Sequence, residues 1–119
     1  MGDYRKLQAW QLARELVIVS HPFIKRLPAD ERYALADQWR RATYGIVLNI
    51  AEGATRKGAR EFRRYLDIAR GSLHELETIL DLVVALGYFA EDDLRTVVDV
   101  RSRCARTVYR LLQSMSGTL

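Results

Sequence analysis

Apolar residues recur at three- and four-residue steps in four successive stretches of the chain, the spacing of amphipathic helices and not of strands. The first stretch opens after Asp3, a good N-cap, and places Leu7, Trp10, Ala13, Val17 and Ile24 on one inward stripe. Leu12, Leu16, Val19 and Phe23 form a second stripe beside it, so the apolar arc is wider than a lone bundle seam requires. Pro22 has no N–H for the carbonyl four residues earlier, which predicts a kink near Ile18 to His21 before the helix resumes to about Lys25.

Leu27-Pro28-Ala29-Asp30-Glu31 is the clearest helix start, because proline suits a first turn and acids complement the N-terminal dipole. The second helix then carries Leu35, Trp39, Ala42 or Thr43, Ile46, Ile50 and Ala54 inward, with Tyr44, Leu48 and Ala51 on a flanking stripe. Gly45 lies inside it, at a cost of about 1 kcal/mol against alanine unless a neighbouring helix crosses closely there. The third stretch runs from about Gly58 to Leu86 through Phe62, Tyr65, Leu66, Ala69, Leu73, Leu76, Leu80 and Val83, and Gly87 stops it. Glu91-Asp92-Asp93 open the fourth, which continues through Leu94, Val97, Val98, Cys104, Ala105, Val108, Leu111 and Leu112 to near Ser114. Long helices with short connections predict an all-α, antiparallel up-down-up-down four-helix bundle, packed at about 20°, as one domain over residues 1–119.

A formal charge of +4 is modest, but its distribution is uneven. Residues 1–73 carry fourteen Lys/Arg against eight Asp/Glu, residues 74–99 one against seven, and residues 100–119 four against none. Opposed charged regions follow. The apolar stretches are far shorter than the roughly 20 residues of a membrane span, no apolar leader opens the chain, and the single cysteine forms no intrachain disulfide; a cytoplasmic protein is expected.

Candidate chemistry narrows to one cluster. His21 and His74 have no second His or Cys at a metal-ligand spacing, so no metal site is expected. Cys104 falls on an apolar stripe, which predicts a buried, inert thiol, and no serine sits in a nucleophile elbow. Neither catalysis nor a cofactor is expected. Arg56, Lys57, Arg60, Arg63, Arg64 and Arg70, by contrast, outnumber Glu61 and Asp67 at the start of the third helix, where cations oppose the macrodipole. Guanidinium groups beside unpaired N–H groups make a phosphate site, with Tyr65 as a stacking surface. The other reading is a solvated face in which Arg63 pairs with Asp67 and Asp67 with Arg70. Arg56, Lys57, Arg60, Arg63 and Arg64 are the nucleic-acid-binding candidates. Asn49 and Glu52 adjoin the inward stripe, and a polar network with Ser72, Glu75, Arg40 or backbone on crossing helices is expected to hold them.

Several strings carry a family resemblance: Tyr4-Arg5-Lys6-Leu7 with Trp10, Leu27-Pro28 with Glu31-Arg32-Tyr33, and Gln38-Trp39-Arg40-Arg41-Ala42. Asn49-Ile50-Ala51-Glu52-Gly53, Glu61-Phe62, Tyr65-Leu66, Ile68-Ala69, Gly71-Ser72-Leu73 with Glu75-Leu76-Glu77, and Leu86-Gly87-Tyr88 complete them. Together they resemble, over nearly the whole chain, the four-helix-bundle proteins encoded in 23S rRNA intervening sequences and their free-standing bacterial relatives. Trp39 stands where that family has a smaller aliphatic residue, and Gly58 where it has a polar N-cap.

The resemblance implies a ring-shaped homopentamer, binding of 23S rRNA, a related structured RNA or another nucleic acid, and no catalytic residues. A protein-interaction scaffold that recruits a nucleic-acid-associated enzyme is the alternative. The second apolar stripes fit a homo-oligomer, with Leu12, Leu16, Val19, Tyr44 and Leu48 as interface candidates.

Overall fold

A computed structural model describes residues 3–115 of the chain. Helices α1 (Gln8–Arg26), α2 (Leu35–Ala54), α3 (Ala59–Ala85) and α4 (Arg95–Met115) account for most of it. Short 3-10 turns, Tyr4–Lys6, Ala29–Glu31 and Glu91–Leu94, precede α1, α2 and α4. The start signals at Asp3, Pro28 and Glu91 therefore open these turns, and the α-helices begin a few residues later. Asp3 caps the first turn by accepting the Arg5 N–H at 3.0 Å. The first helix is continuous through Pro22, although Pro22 offers Ile18 no N–H; the Ile18 side chain is exposed, so solvent reaches this part of the helix.

Each helix packs on the next, and α1 also packs on α4. Gly45 faces Ser72 while Gly53 faces Phe62 and Tyr65, so α2 and α3 run antiparallel. Arg14, Val17 and Ile18 meet Tyr44, Val47 and Leu48 across α1 and α2, whereas Ile24 meets Ala36 and Arg40, again antiparallel. Arg101 of α4 reaches Leu73 and Glu77 of α3.

The buried residues form one core that draws on every helix. Helix α2 contributes Trp39, Ala42, Thr43, Ile46, Ile50 and Ala54, and α3 contributes Phe62, Leu66, Ala69, Leu73, Leu76, Leu80 and Val83, as their periodicity predicts. Trp39 is fully buried, edge-on to Phe89 at 6.4 Å, and Phe23 packs on the same ring at 5.2 Å. Trp39 is thus the largest wholly buried side chain of the core.

Helix α1 corrects one expectation. Leu12 and Leu16 are 5 % and 0 % exposed, so they belong to the core of the bundle and are removed as interface candidates. A helix that packs on two neighbours needs a wide apolar arc within its own bundle. Val19 is half-buried, while Tyr44 and Leu48 are 43 % and 65 % exposed.

Candidate nucleic-acid interface

Antiparallel packing gathers the Tyr4–Lys6 turn, the α2–α3 connection and the last turn of α4 at one end of the bundle. Arg5 and Lys6 therefore join the end that carries Arg56, Lys57 and Arg60. Asp30, Glu31, Glu91, Asp92 and Asp93 lie at the opposite end, alongside Lys25, Arg26, Arg32 and Arg95. The uneven charge of the sequence becomes a polarity along the bundle.

Two glycines shape the basic end, for different reasons. Gly53 sits where α2 touches α3, and a Cβ there would lie 2.7 Å from the Tyr65 Cβ and 3.0 Å from Phe62 Cδ1. Gly58 adopts a φ of +85° with open space around it, so its requirement is conformational and not steric. That left-handed residue turns the chain into α3, whose first internal bond runs from the Phe62 N–H to the Gly58 carbonyl. No side chain caps the helix, which leaves the N–H groups of Ala59, Arg60 and Glu61 without a partner inside the helix.

The five candidate cations divide into two groups. Arg56 forms an ion pair with Glu52 at 2.9 Å, donates to the Tyr65 hydroxyl at 3.2 Å, and holds its guanidinium 5.3 Å from the Tyr65 ring centre. Arg64 lies 4.7 Å from the same ring centre and 3.7 Å from Glu61. Lys57, Arg60 and Arg63 have no carboxylate within ion-pair distance among the described residues. Lys57 and Arg60 are exposed and Arg63 is half-buried. Of the two pairs expected for Asp67, the one with Arg70 is present at 4.0 Å, and the one with Arg63 does not form.

Two other expectations are corrected here. Tyr65 is no open stacking surface, since two guanidinium groups and the flank of α2 already occupy it. Among the described residues Asn49 and Glu52 meet none of the side chains expected to hold them: the Asn49 amide donates to the Gly45 carbonyl of its own helix at 2.7 Å, and the half-exposed Glu52 pairs with Arg56, which links it to Tyr65 of α3. Ser72, a proposed partner, instead packs beside Gly45. The i to i+4 spacing of Glu52 and Arg56 was the signal for their pairing.

Cys104 is buried as its stripe predicts, with its thiol pointing at the Ala9 carbonyl 3.8 Å away. Burial pushes its pKa up to about 12, against a smaller opposing pull from Arg101, so the nucleophilic thiolate is suppressed. Among the described residues no group of three acids, histidines or cysteines is placed to hold a metal ion. No described helix is long and apolar enough to cross a membrane.

An all-helical bundle with a basic end and a polar, dipolar surface is the class these features define. The chain belongs to the 23S rRNA-intervening sequence protein family, whose model matches residues 5–110. A solved structure with a similar fold is that of a protein of unknown function from the S23 ribosomal protein family of Bacteroides thetaiotaomicron VPI-5482. It is 18% identical, with a TM-score of 0.79 over 87% of this chain and 97% of that one. No curated protein matches the chain. Neither the family description nor the neighbour's carries an enzymatic activity.

Proposed function

We propose that the protein is a non-enzymatic, cytoplasmic homo-oligomer that binds RNA, either 23S rRNA or a related structured RNA, through phosphate contacts at its basic end. The observation that carries this reading is that Lys57, Arg60 and Arg63 have no ion-pair partner among the described residues and lie beside three helix amides that no side chain caps. Cations at a helix N-terminus work against the dipole, and an added phosphate removes that conflict by pairing with both. Arg56 and Arg64, held against Tyr65, stiffen the rim of the site and act as its secondary contacts. Membership of a family described by 23S rRNA supports RNA as the polyanion.

The homo-oligomer is supported by a groove of about 410 Å³ between α1 and α2, lined by Arg14, Val17, Ile18, Tyr44, Val47 and Leu48. Ile18 and Leu48 are 52 % and 65 % exposed there. A second copy would cover this face, and a ring, a pentamer by family resemblance, would repeat the basic end and turn weak contacts into avidity. The same face also suits a scaffold that recruits another protein.

The test is a titration of a labelled structured rRNA fragment at several salt concentrations. Affinity should fall steeply with salt, and the double substitution Arg60→Glu, Arg63→Glu should abolish binding while the solution mass stays the same. Unchanged affinity in the double variant would remove this patch. An absorbance ratio showing RNA-free native protein with a stoichiometric protein partner would favour the scaffold instead.

A further inference from the structure

The flank of α3 that bears Arg63 continues past the basic end. Arg70 lies seven residues further on, two helical turns or about 10 Å along the same side, and His74 follows one turn later. This flank faces α4 across a groove of about 380 Å³, lined at its basic part by Arg70, Leu73, His74, Ala105, Arg106 and Tyr109. That volume lies within the roughly 300–1,000 Å³ of small-ligand sites.

The charges in the groove are not balanced internally. Glu77, its acid, is taken by Arg101, whose guanidinium bonds the Glu77 carboxylate and the Leu73 carbonyl, both at 3.2 Å. With 12% of its side chain exposed, Arg101 forms part of the floor and leaves Glu77 neutralised. Arg70 has only Asp67 at 4.0 Å, and Arg106 has no carboxylate within ion-pair distance among the described residues. Two cations therefore face the opening with weak partners or none.

Tyr109 supplies the second half of the chemistry. It is 52 % exposed, and its hydroxyl is fixed by a hydrogen bond from Gln113 Nε2 at 3.1 Å. Tyr4 and Tyr65 each carry guanidinium groups over their rings, at 5.9 Å for Arg5 on Tyr4, whereas no cation lies over Tyr109 among the described residues. On the α3–α4 face it presents an open aromatic surface beside Arg106 and the weakly paired Arg70.

We propose that this groove binds one phosphorylated nucleoside unit, with the base stacked on Tyr109 and the phosphate held by Arg70 and Arg106. Stacking on an aromatic ring with adjacent cations is the sequence-tolerant way to hold an unpaired nucleotide. The unit is either a free mononucleotide or one nucleotide of an RNA strand that leaves the Arg60–Arg63 patch along α3; the second source rests on the function proposed above.

The full chain is titrated with adenosine monophosphate, a labelled single-stranded oligoadenylate and a labelled RNA hairpin. Tyr109→Leu is expected to weaken oligoadenylate binding on the order of tenfold, while Tyr109→Phe stays within about twofold. Arg70→Gln and Arg106→Gln should each weaken it, with circular dichroism unchanged because these side chains are exposed. Monophosphate binding that Tyr109→Leu removes identifies a free-nucleotide site. The oligoadenylate effect without monophosphate binding identifies a unit within a strand. If Tyr109→Leu leaves every affinity unchanged while Arg60→Glu, Arg63→Glu abolishes hairpin binding, the groove is overturned and the proposed function stands. If only the monophosphate binds and Tyr109→Leu removes it, the groove stands and the proposed function fails. Binding of no ligand overturns both, and an equal loss in Tyr109→Phe and Tyr109→Leu overturns the stacking role.

Discussion

A methyl group on Gly53 would lie 2.7 Å from the Cβ of Tyr65, closer than two carbons can pack. Both atoms belong to the helix walls, so relief requires α2 and α3 to separate at the end that carries the basic patch. Gly53→Ala should therefore destabilise the fold by about 1–3 kcal/mol through overpacking. Gly45→Ala is the contrast, because its Cβ would meet the Ser72 Oγ at 3.3 Å, and that half-buried hydroxyl can rotate away. There the helix-propensity gain of about 1 kcal/mol offsets the crowding. Urea unfolding of both variants checks the ranking, and equal midpoints would refute it.

The division of the basic patch predicts unequal effects from charge-neutral substitutions. Lys57→Gln removes a cation with no ion-pair partner among the described residues, so the slope of log K against log salt should fall by roughly 0.7–0.9, the share of one phosphate neutralised. Arg64→Gln removes one already engaged by Tyr65 and Glu61, and its slope change should be smaller. A larger change in Arg64→Gln than in Lys57→Gln would reverse the assignment of primary and secondary contacts.

Placing a charge in the α1–α2 groove tests the oligomer separately from RNA. Leu48 is 65 % exposed in the subunit, so Leu48→Glu leaves the core intact while making burial against another copy unfavourable. Sedimentation should show a shift toward monomer with helicity retained. An unchanged mass would exclude this face as the interface.

Alkaline stability reports on two groups whose folded pKa values are raised. Burial lifts the Cys104 thiol from about 9 to about 12, and the hydrogen bond to Glu31 at 2.6 Å lifts Tyr88 from about 10 to about 12. In each case the unfolded chain releases the proton first. Their contribution is therefore complete below about pH 9 for Cys104 and pH 10 for Tyr88, and is lost as pH rises toward 12. Urea midpoints should be flat up to pH 9 and fall beyond it. Cys104→Ala should delay the onset to about pH 10, and Tyr88→Phe should flatten the remaining decline; parallel curves for all three proteins would contradict both assignments.

Periodicity alone determined the helical elements and most of the core, because a helix buries whichever stripe recurs at its own repeat. Trp39, Ile46, Phe62, Leu66 and Cys104 are all where their spacing puts them, and Gly58 and Gly87 both take the positive φ that marks their turns. The basic patch was legible as composition, since six cations against two acids need no coordinates to count. Which of those cations lack a partner among the described residues was decided only by tertiary structure. Ion pairing and ring contacts depend on side chains that meet across the α2–α3 turn, such as Arg56 and Tyr65 nine residues apart. Leu12 and Leu16 became core and not interface because α1 touches two neighbours, which no single-helix pattern records. The groove of Arg70, His74, Arg106 and Tyr109 joins two helices whose facing residues are some thirty positions apart, and antiparallel packing alone brings them together. Asn49 to Gly53 remains the clearest family string, and its physical content is local: a hydrogen bond to Gly45, an ion pair to Arg56, and a glycine that lets two helices touch.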